Sequence, residues 1–426
     1  MSHMATHSRK KLLVILGAGS SRSQGMPSVE DIDGFMKNWS NAWALGLPGY
    51  EDYFIEIWNG LIKHYSAAKP ALRRQPNFEV ALGEMIALAH WMNPAPYGDP
   101  LREIAYNGAT PTGFKFAFPS DPWGNAATTA IKSQITCLLN SLAQHMRQQC
   151  ISFNPSSPEF RQYCTIVQAI RNEFDVGIYN LNYDTIAHSA MPGAHTGFDA
   201  LGEFDPKSVH GRSGWDFVYH LHGSVHCTLV GPFGESMRWQ NNLLLNFDDG
   251  KEGRSSDERS GGRQFPRTTL IAGGFKLDQI LVEPFQSFYA AMVRHVHEAD
   301  AILIGGYGFG DEHVNRALQN RLERAGNRPP VAVLTWSDNP EDPMQLRSSD
   351  WSYNLHRALH ARNQFREPGS SSVRSIEELK MREGFEVCSN DRVAIWHGGF
   401  VEASGRINEL SKWLATSAGD DVLAGR

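Results

Sequence analysis

A glycine turn after an apolar run is the first pattern in this sequence that could do chemistry. Residues 12–16 are continuously apolar, and Gly17-Ala18-Gly19 follows at once. Glycines at such a turn let backbone N–H groups approach a pyrophosphate, and a nearby helix start adds the positive end of its dipole. The segment therefore fits a dinucleotide-binding turn, although a strand-to-helix turn without a ligand could have the same sequence pattern. Arg22 stands at the third glycine position of G-x-G-x-x-G, which disfavours a hydride-transferring dehydrogenase.

Polar side chains follow two further apolar runs. Asn182-Tyr183-Asp184 closes the run that begins at Val176, and His222-Gly223 closes the run that begins at Phe217. Each segment also fits a structural role, because an isolated Asn or Asp often forms an Asx turn or a helix cap, and a single His is often a hydrogen-bonded structural residue. Their recurrence at the strand ends of one sheet favours a shared ligand crevice.

These segments need an open sheet that brings the strand ends together. The sequence repeats strand, glycine turn, helix and strand, which is typical of an α/β protein with a Rossmann-like parallel sheet. The predicted strands are 12–16, 176–182, 217–223, 301–308 and 331–336, with helices at 284–297 and 311–324.

Helical periodicity dominates the stretch between the first two strands. Ser28, with Asp31 three residues later, predicts a capped helix through Trp39, and more helices are predicted at 53–65, 78–92 and 127–146. The predicted organisation is a large helical insertion at 28–173, a Rossmann-like dinucleotide-binding domain built from 11–27 and 174–340, and a C-terminal α/β extension at 341–426.

Composition excludes several classes of protein. The chain of 426 residues is 41% hydrophobic, which suffices for about two or three domains with real cores. No apolar run approaches the roughly 18 residues that span a bilayer, so no membrane association is expected. A net charge of -6 gives no general attraction to phosphate backbones, so direct nucleic-acid binding is not expected. The five scattered cysteines fit reduced thiols in the cytoplasm and neither a disulfide framework nor a four-cysteine zinc site.

Motifs follow one another in a fixed order between residues 12 and 336. They are G-A-G-S-S at 17–21 with G-M-P at 25–27, N-Y-D at 182–184, L-H-G-S at 221–224 and G-G-Y-G at 305–308. This order resembles that of the SIR2 (sirtuin) family, whose members carry a G-A-G-x-S loop with G-I-P, then T-Q-N-x-D, H-G and a late G-T-S type turn. N-Y-D, L-H-G-S and G-Y-G-F-G-D-E-H are most similar to the bacterial SIR2-like domains of antiphage defence systems.

The resemblance implies a SIR2-like enzyme that takes NAD+ as its substrate and cleaves it to nicotinamide and ADP-ribose. Asn182 and His222 would be the catalytic pair, and Asp184 would support the nicotinamide and ribose end. The residues expected to bind the rest of NAD+ are Gly17, Ala18, Gly19, Ser20 and Ser21 at the phosphates, Gly306 and Tyr307 at the ribose, and Ser337 and Asp338 on the adenosine side.

The sequence also departs from the protein-deacetylating sirtuins. Their four zinc cysteines have no counterpart, so no zinc is expected, and Leu181 replaces the Gln before the catalytic Asn. These departures favour NAD+ hydrolysis over peptide deacetylation. In that reaction, His222 would take a proton from water or a ribose hydroxyl and Asn182 would position the water. His220, two residues away, is the alternative base.

Other functions stay open at this point. The chain could be an NAD+ or ADP-ribose sensor that binds without cleaving, or a SIR2-type protein deacetylase or ADP-ribosyltransferase. A metal-dependent hydrolase would draw on His210, His220, His222, His226 and the run 311–313. We interpret that run as the first turn of a helix, where acidic residues are favoured.

Regulation is expected on physical grounds, because unrestrained NAD+ cleavage would be toxic to the cell. We expect activity to depend on formation of a homo-oligomer or on a defence-system partner such as an ATPase or an Argonaute-like protein.

Overall fold

Parallel strands form the centre of the fold in the computed structural model. The structure describes residues 9–46, 51–67, 75–92, 125–231, 234, 236–245, 255–260, 263–273, 276–324, 328–336, 350–360, 380–382, 385–388 and 392–415. The strands are β1 Lys10–Leu16, β2 Phe174–Asn180, β3 Asp216–His220, β4 Cys227–Val230, β5 Ser236–Trp239, β6 Ser255–Ser260, β7 Arg263–Pro266, β8 Ala301–Gly305, β9 Val331–Leu334, β10 Lys380–Arg382, β11 Phe385–Cys388 and β12 Val393–Trp396.

The main sheet has the order β10-β11-β12-β9-β8-β1-β2-β3 in the part of the chain that the structure describes. Pairing is parallel from β12 through to β3, whereas β11 is antiparallel to both β10 and β12. Two antiparallel hairpins, β4–β5 and β6–β7, stand outside it. From the central β1 the chain first builds one side of the sheet and later the other, which puts the ligand-binding crevice at the carboxyl ends of β1 and β8.

Helices cover both faces of the sheet. Leu12, Val14 and Leu16 point into one hydrophobic cluster and Leu13 and Ile15 into another, because successive side chains of a strand alternate. The helices are α1 Val29–Leu45, α2 Tyr53–Ser66, α3 Phe78–Met92, α4 Asn125–Ile151, α5 Pro158–Glu173, α6 Ile186–Ala190, α7 Pro206–His210, α8 Lys276–Ile280, α9 Phe285–Glu298, α10 Glu312–Leu322, α11 Asp350–Ala358 and α12 Ile407–Leu414.

Helices α1 to α5 and α12 cover the face of the sheet to which Leu12, Val14 and Leu16 point. Polar contacts fix the starts of α1 and α3. Ser28 and Asp31 form a reciprocal capping box at the start of α1. Asp33, inside α1, accepts a hydrogen bond from the backbone N–H of Phe78 at 2.6 Å, where α3 begins. These contacts direct two helix starts toward the carboxyl ends of the strands.

The predicted α/β class, with a Rossmann-like parallel sheet and a large set of added helices, is confirmed. Helix α3 has the predicted bounds, and the Ser28 cap is present. Helix α5, which leads into β2, was not predicted, although Ser157 caps it and Pro158 opens it. Within the described residues, no helix has the length and apolar content needed to cross a membrane.

Candidate active site

A cleft of about 580 Å³ lies at the carboxyl ends of β1, β2, β3 and β8. The starts of α1 and α3 form its opposite wall. Its lining from the strand ends consists of Gly17, Ala18, Gly19, Arg22, Leu181, Asn182, Tyr183, Asp184, His222, Gly306, Tyr307, Gly308, Gly310 and Asp311. A volume of this size falls within the range of about 300–1,000 Å³ that is usual for small-molecule sites.

The glycine turns after β1 and β8 pack backbone against backbone. The N–H of Gly17 donates to the carbonyl of Gly305 at 2.9 Å, and the N–H of Gly19 donates to that of Gly306 at 3.0 Å. A Cβ on Gly17 would lie 2.7 Å from the Gly306 carbonyl oxygen, closer than side chains approach. The glycines at 17 and 19 are thus required for close packing of the two turns, and their own N–H groups are already bonded within the protein.

Asn182 is fixed by its amide nitrogen, which donates to three acceptors on the turn after β1. They are the carbonyl of Gly17 at 3.0 Å and the hydroxyls of Ser20 and Ser21 at 3.3 and 3.1 Å. In the described residues no group donates to its side-chain oxygen, Oδ1. The carboxamide of Asn182 therefore offers a ligand or a water molecule an acceptor, because its donor side is used for positioning.

Asp184 is a buried carboxyl beside Asn182. Burial raises its pKa to about 6, against smaller lowering effects of the hydrogen bonds from the backbone N–H of Ile186, at 2.9 Å, and from the hydroxyl of Ser21. Near neutral pH the folded protein therefore carries a negative charge at a site where a neutral group would be more stable.

Substitution Asp184→Asn is expected to stabilise the protein above pH 6. The pKa of Asp184 is about 6 in the folded protein against an ordinary 3.8, so its contribution to stability falls as pH rises from about 4 to about 6 and stays low above that. The variant should gain on the order of 2 to 3 kcal/mol at pH 8, since one pKa unit corresponds to about 1.4 kcal/mol. Urea unfolding at pH 4.5 and pH 8 measures the difference.

The half-exposed Asp175 supplies the matched control, because Asp175→Asn removes a carboxylate whose 3.8 Å surface ion pair with Arg9 contributes little to stability. Its free energy of unfolding should match that of the parent at both pH values. A variant Asp184→Asn that is no more stable than the parent at pH 8 would contradict the burial argument.

His222 pairs with a carboxylate. Its Nε2 lies 2.7 Å from Oδ2 of Asp311, and the two side chains are 9% and 4% exposed. Burial alone would raise the pKa of Asp311, but the hydrogen bond and charge of His222, with smaller effects of Lys276 and the backbone N–H of Val314, hold it well below its usual range. Asp311 is therefore ionised, and His222 faces the cleft with a fixed anionic partner.

His220, the alternative base, lies outside the lining of the cleft. The strand predicted over 217–223 would place His220 and His222 on one face, but β3 ends at His220, so that alternation does not extend to His222. Its Nδ1 lies 3.2 Å from the carbonyl oxygen of Asn182, and burial, helped by the neighbouring His226, lowers its pKa to about 3. A ring that stays neutral and is enclosed by protein supports the backbone of Asn182 and has no direct route to a substrate.

The histidines of the metal hypothesis bind separate partners. His226 lies between the hydroxyl of Thr185 and the carbonyl of Gln240, both at 2.9 Å, and His210 lies 3.1 Å from the Ser287 hydroxyl. Throughout the described part of the chain, no group of three or more His, Cys, Asp or Glu side chains could hold a metal ion.

The structure brings most of the predicted site residues together. Gly17, Ala18, Gly19, Asn182, Asp184, His222, Gly306 and Tyr307 line the cleft, with Ser20 and Ser21 buried directly behind them. Ser337 and Asp338 lie outside the described residues. Asp311 was interpreted only as part of a helix start, which is correct for α10, and its pairing with His222 was missed. An acidic residue soon after a strand that ends in glycine was the available signal.

Residues 176–357, which run from β2 through α11, match the family model of the SIR2-like domain. The chain contains a SIR2-like domain. The matched segment includes Asn182, His222 and Asp311, and it lies on both sides of β1 in the sheet. No curated protein sequence matches the chain.

Solved structures similar to this chain include several Sir2 proteins. A mutant Sir2 homologue in complex with 2'-O-acetyl ADP-ribose is 12% identical over 97% of this chain and 95% of its own, with a TM-score of 0.38. A Sir2 homologue in complex with NAD is 12% identical over 83% and 91%, with a TM-score of 0.32. A structure described as the basis for the mechanism and regulation of Sir2 enzymes is 11% identical over 83% and 94%, with a TM-score of 0.33. The assignment of the SIR2-like domain rests on the family model.

Proposed function

We propose that the protein is an NAD+ glycohydrolase that cleaves NAD+ to nicotinamide and ADP-ribose. The observation that supports this most is the joint placement of Asn182, Asp184 and His222 beside two glycine turns in one cleft of the SIR2-like domain. A carboxamide acceptor and an imidazole held by a carboxylate are the groups needed to orient water and remove its proton.

In the proposed reaction, water adds to C1' of the nicotinamide ribose as the bond from C1' to the nicotinamide nitrogen breaks. The bonding electrons pass to the ring nitrogen, so nicotinamide leaves as a neutral molecule without a general acid. The water proton passes to His222. The developing oxocarbenium character resembles that of glycoside hydrolysis, and the negative charge of Asp184 would stabilise it.

The substrate is proposed to lie along the strand ends. Its diphosphate would cross the turn formed by residues 17–21, where Arg22 lines the cleft and supplies positive charge that the internally bonded N–H groups of Gly17 and Gly19 do not. Gly306 and Tyr307 would contact the ribose, and Ser337 and Asp338 are proposed to bind on the adenosine side.

The helices between β1 and β2 are proposed to close the cleft. The starts of α1 and α3 form one wall, and Lys276 joins α3 to the SIR2-like domain through a 3.0 Å ion pair with Glu79. In this division, residues 11–27 and 174–340 form the NAD-binding domain, 28–173 is an insertion and 341–426 is an extension.

Incubation with NAD+ tests the function directly. We expect the purified protein to release equal amounts of nicotinamide and ADP-ribose, resolved by chromatography, with activity per mole rising with protein concentration if an oligomer is the active form. Asn182→Ala should lose at least about 100-fold in rate, because the water loses its acceptor. The surface variant Asn172→Ala, on α5, is the matched control and should keep the parent rate.

The outcomes separate the alternatives. NAD+ that binds but stays intact at every protein concentration would indicate a missing activating partner or a sensor, which the infection test described below distinguishes. No binding would contradict the proposal altogether. Release of nicotinamide only when an acetylated peptide is present would indicate deacetylation. Parallel incubations with NADP+ define the substrate range.

The wider role that we propose is antiphage defence by NAD+ depletion. Bacteria that express the parent chain with its partner should lose cellular NAD+ after phage infection, whereas bacteria with the Asn182→Ala variant should not. Loss of NAD+ in uninfected cells at the same rate would contradict regulation by infection.

A further inference from the structure

The carboxylate of Asp311 has two oxygens with separate partners. Oδ1 accepts from the backbone N–H groups of His313 and Val314 at 2.9 and 3.3 Å, which caps α10. Oδ2 lies 2.7 Å from Nε2 of His222 and 3.4 Å from the hydroxyl of Tyr289. A helix cap needs a single acceptor oxygen, so the contact with His222 is additional to the capping role.

The backbone around Asp311 is fixed by Tyr307. The N–H of Asp311 donates to the Tyr307 hydroxyl at 3.1 Å, and that hydroxyl in turn lies 3.0 Å from Oδ1 of Asn315. Asn315 donates its amide to the carbonyl of Phe309 at 2.8 Å. The segment 307–315 is thereby tied together, and Oδ2 of Asp311 cannot turn away from the imidazole without breaking the cap.

We propose that Asp311 is a positioning residue that fixes the tautomer of His222. An ionised carboxylate can only accept hydrogen bonds, so the hydrogen between the two side chains belongs to Nε2 of His222. In a neutral imidazole the other nitrogen, Nδ1, then holds the lone pair. Asp311 therefore selects Nδ1 as the atom of His222 that accepts a proton.

The catalytic consequence rests on the proposed function. When Nδ1 takes the proton of water or a ribose hydroxyl, the ring becomes a cation, and the neighbouring carboxylate of Asp311 stabilises that charge without being protonated. The same division of roles holds between the histidine and aspartate of serine proteases.

The substitution Asp311→Asn separates positioning from capping. An Asn side chain can cap α10 only by directing its oxygen to the N–H groups of His313 and Val314, which turns its NH2 group toward His222. Nε2 must then accept, the hydrogen moves to Nδ1, and the lone pair no longer faces the substrate. We expect kcat for NAD+ to fall on the order of 10²- to 10⁴-fold, with KM within about threefold of the parent.

A second capping aspartate supplies the control. Asp205 caps α7 through the N–H of Lys207 at 3.0 Å and is absent from the cleft lining. Because Asn caps helices as well as Asp does, both Asp→Asn variants should keep their helix caps. Asp205→Asn should unfold close to the parent, whereas Asp311→Asn also loses the stabilising pair with His222 and should be less stable but still folded. Only Asp311→Asn should lose turnover. Parent-like kcat in Asp311→Asn would overturn the proposal and leave Asp311 as a cap.

Nitrogen-15 NMR of histidine-labelled protein tests the tautomer without turnover. The signals of His222 are those that disappear in His222→Ala, and we expect the parent to carry its hydrogen on Nε2 and Asp311→Asn to carry it on Nδ1. A parent protein with the hydrogen on Nδ1 would overturn the proposal. If the parent does not cleave NAD+, the proposed function fails while this measurement still decides the role of Asp311.

Discussion

His222→Ala is expected to reduce the rate of NAD+ cleavage on the order of 10²- to 10⁴-fold, the usual contribution of a general base. His222 lines the cleft, is paired with an ionised carboxylate and lies among the other candidate residues. Binding of NAD+ should weaken only a few-fold, because the glycine turns and Arg22 remain. Single-turnover chromatography gives the rate, and calorimetry gives the affinity.

The neighbouring histidine makes this test specific. His220→Asn keeps a donor for the carbonyl of Asn182, because the Asn amide nitrogen occupies nearly the place of the imidazole Nδ1. Its rate should stay within about threefold of the parent. If His220→Asn loses the activity and His222→Ala keeps it, the assignment of the base is reversed.

Gly306→Ala is expected to have the largest effect on the fold of the site. Gly306 has a φ of 58°, and a Cβ there would lie 2.0 Å from the backbone nitrogen of Ser20 and 2.4 Å from the carbonyl carbon of Gly19. The clashing atoms are main-chain atoms of the turn after β1. The clash can therefore be avoided only if the turns after β1 and β8 move apart. We expect a loss of stability of about 3 kcal/mol or more and NAD+ binding weakened at least about tenfold.

Gly308→Ala is the matched control for this substitution. Gly308 lines the same cleft, but a Cβ at that position meets nothing within 4 Å. It should unfold within about 1 kcal/mol of the parent, as measured by urea titration. Equal stability of the two variants would mean that the turns after β1 and β8 are not packed as closely as the structure places them.

Features decided within a few residues could be predicted from the sequence. The capping box of Ser28 and Asp31 lies within one helical turn. The strand at 301–305 is indicated by a continuous apolar run that ends at glycine. The candidate site was predictable to the same extent, since Asn182 and His222 each follow a strand by two residues, and parallel strands bring their carboxyl ends together.

Features decided by distant residues could not be predicted. The sequence pattern predicted a strand as far as Gly223, but β3 ends at His220. Gly223 has a φ of 88° and packs closely against the carbonyl of Thr269. The pairing of Asp311 with His222 joins residues far apart in the chain, and a helix cap was a sufficient local reason for an aspartate there. Likewise, the glycines at 17 and 19 suggested free N–H groups, which the turn after β8 occupies.

The position of β1 in the sheet determines when the cleft can be completed during synthesis of the chain. The strand precedes its partners in the chain, and Lys10 pairs with Phe174 and Leu12 with Ala301, so these partners leave the ribosome much later. Until then a strand that is apolar from Leu12 to Leu16 has both edges unpaired, a state that exposes nascent chains to aggregation and to chaperones. Under the proposed function, His222 receives its partner only when Asp311 has emerged, so a ribosome-bound chain that ends before that residue would lack the proposed pair and would spare the NAD+ of the cell that makes it.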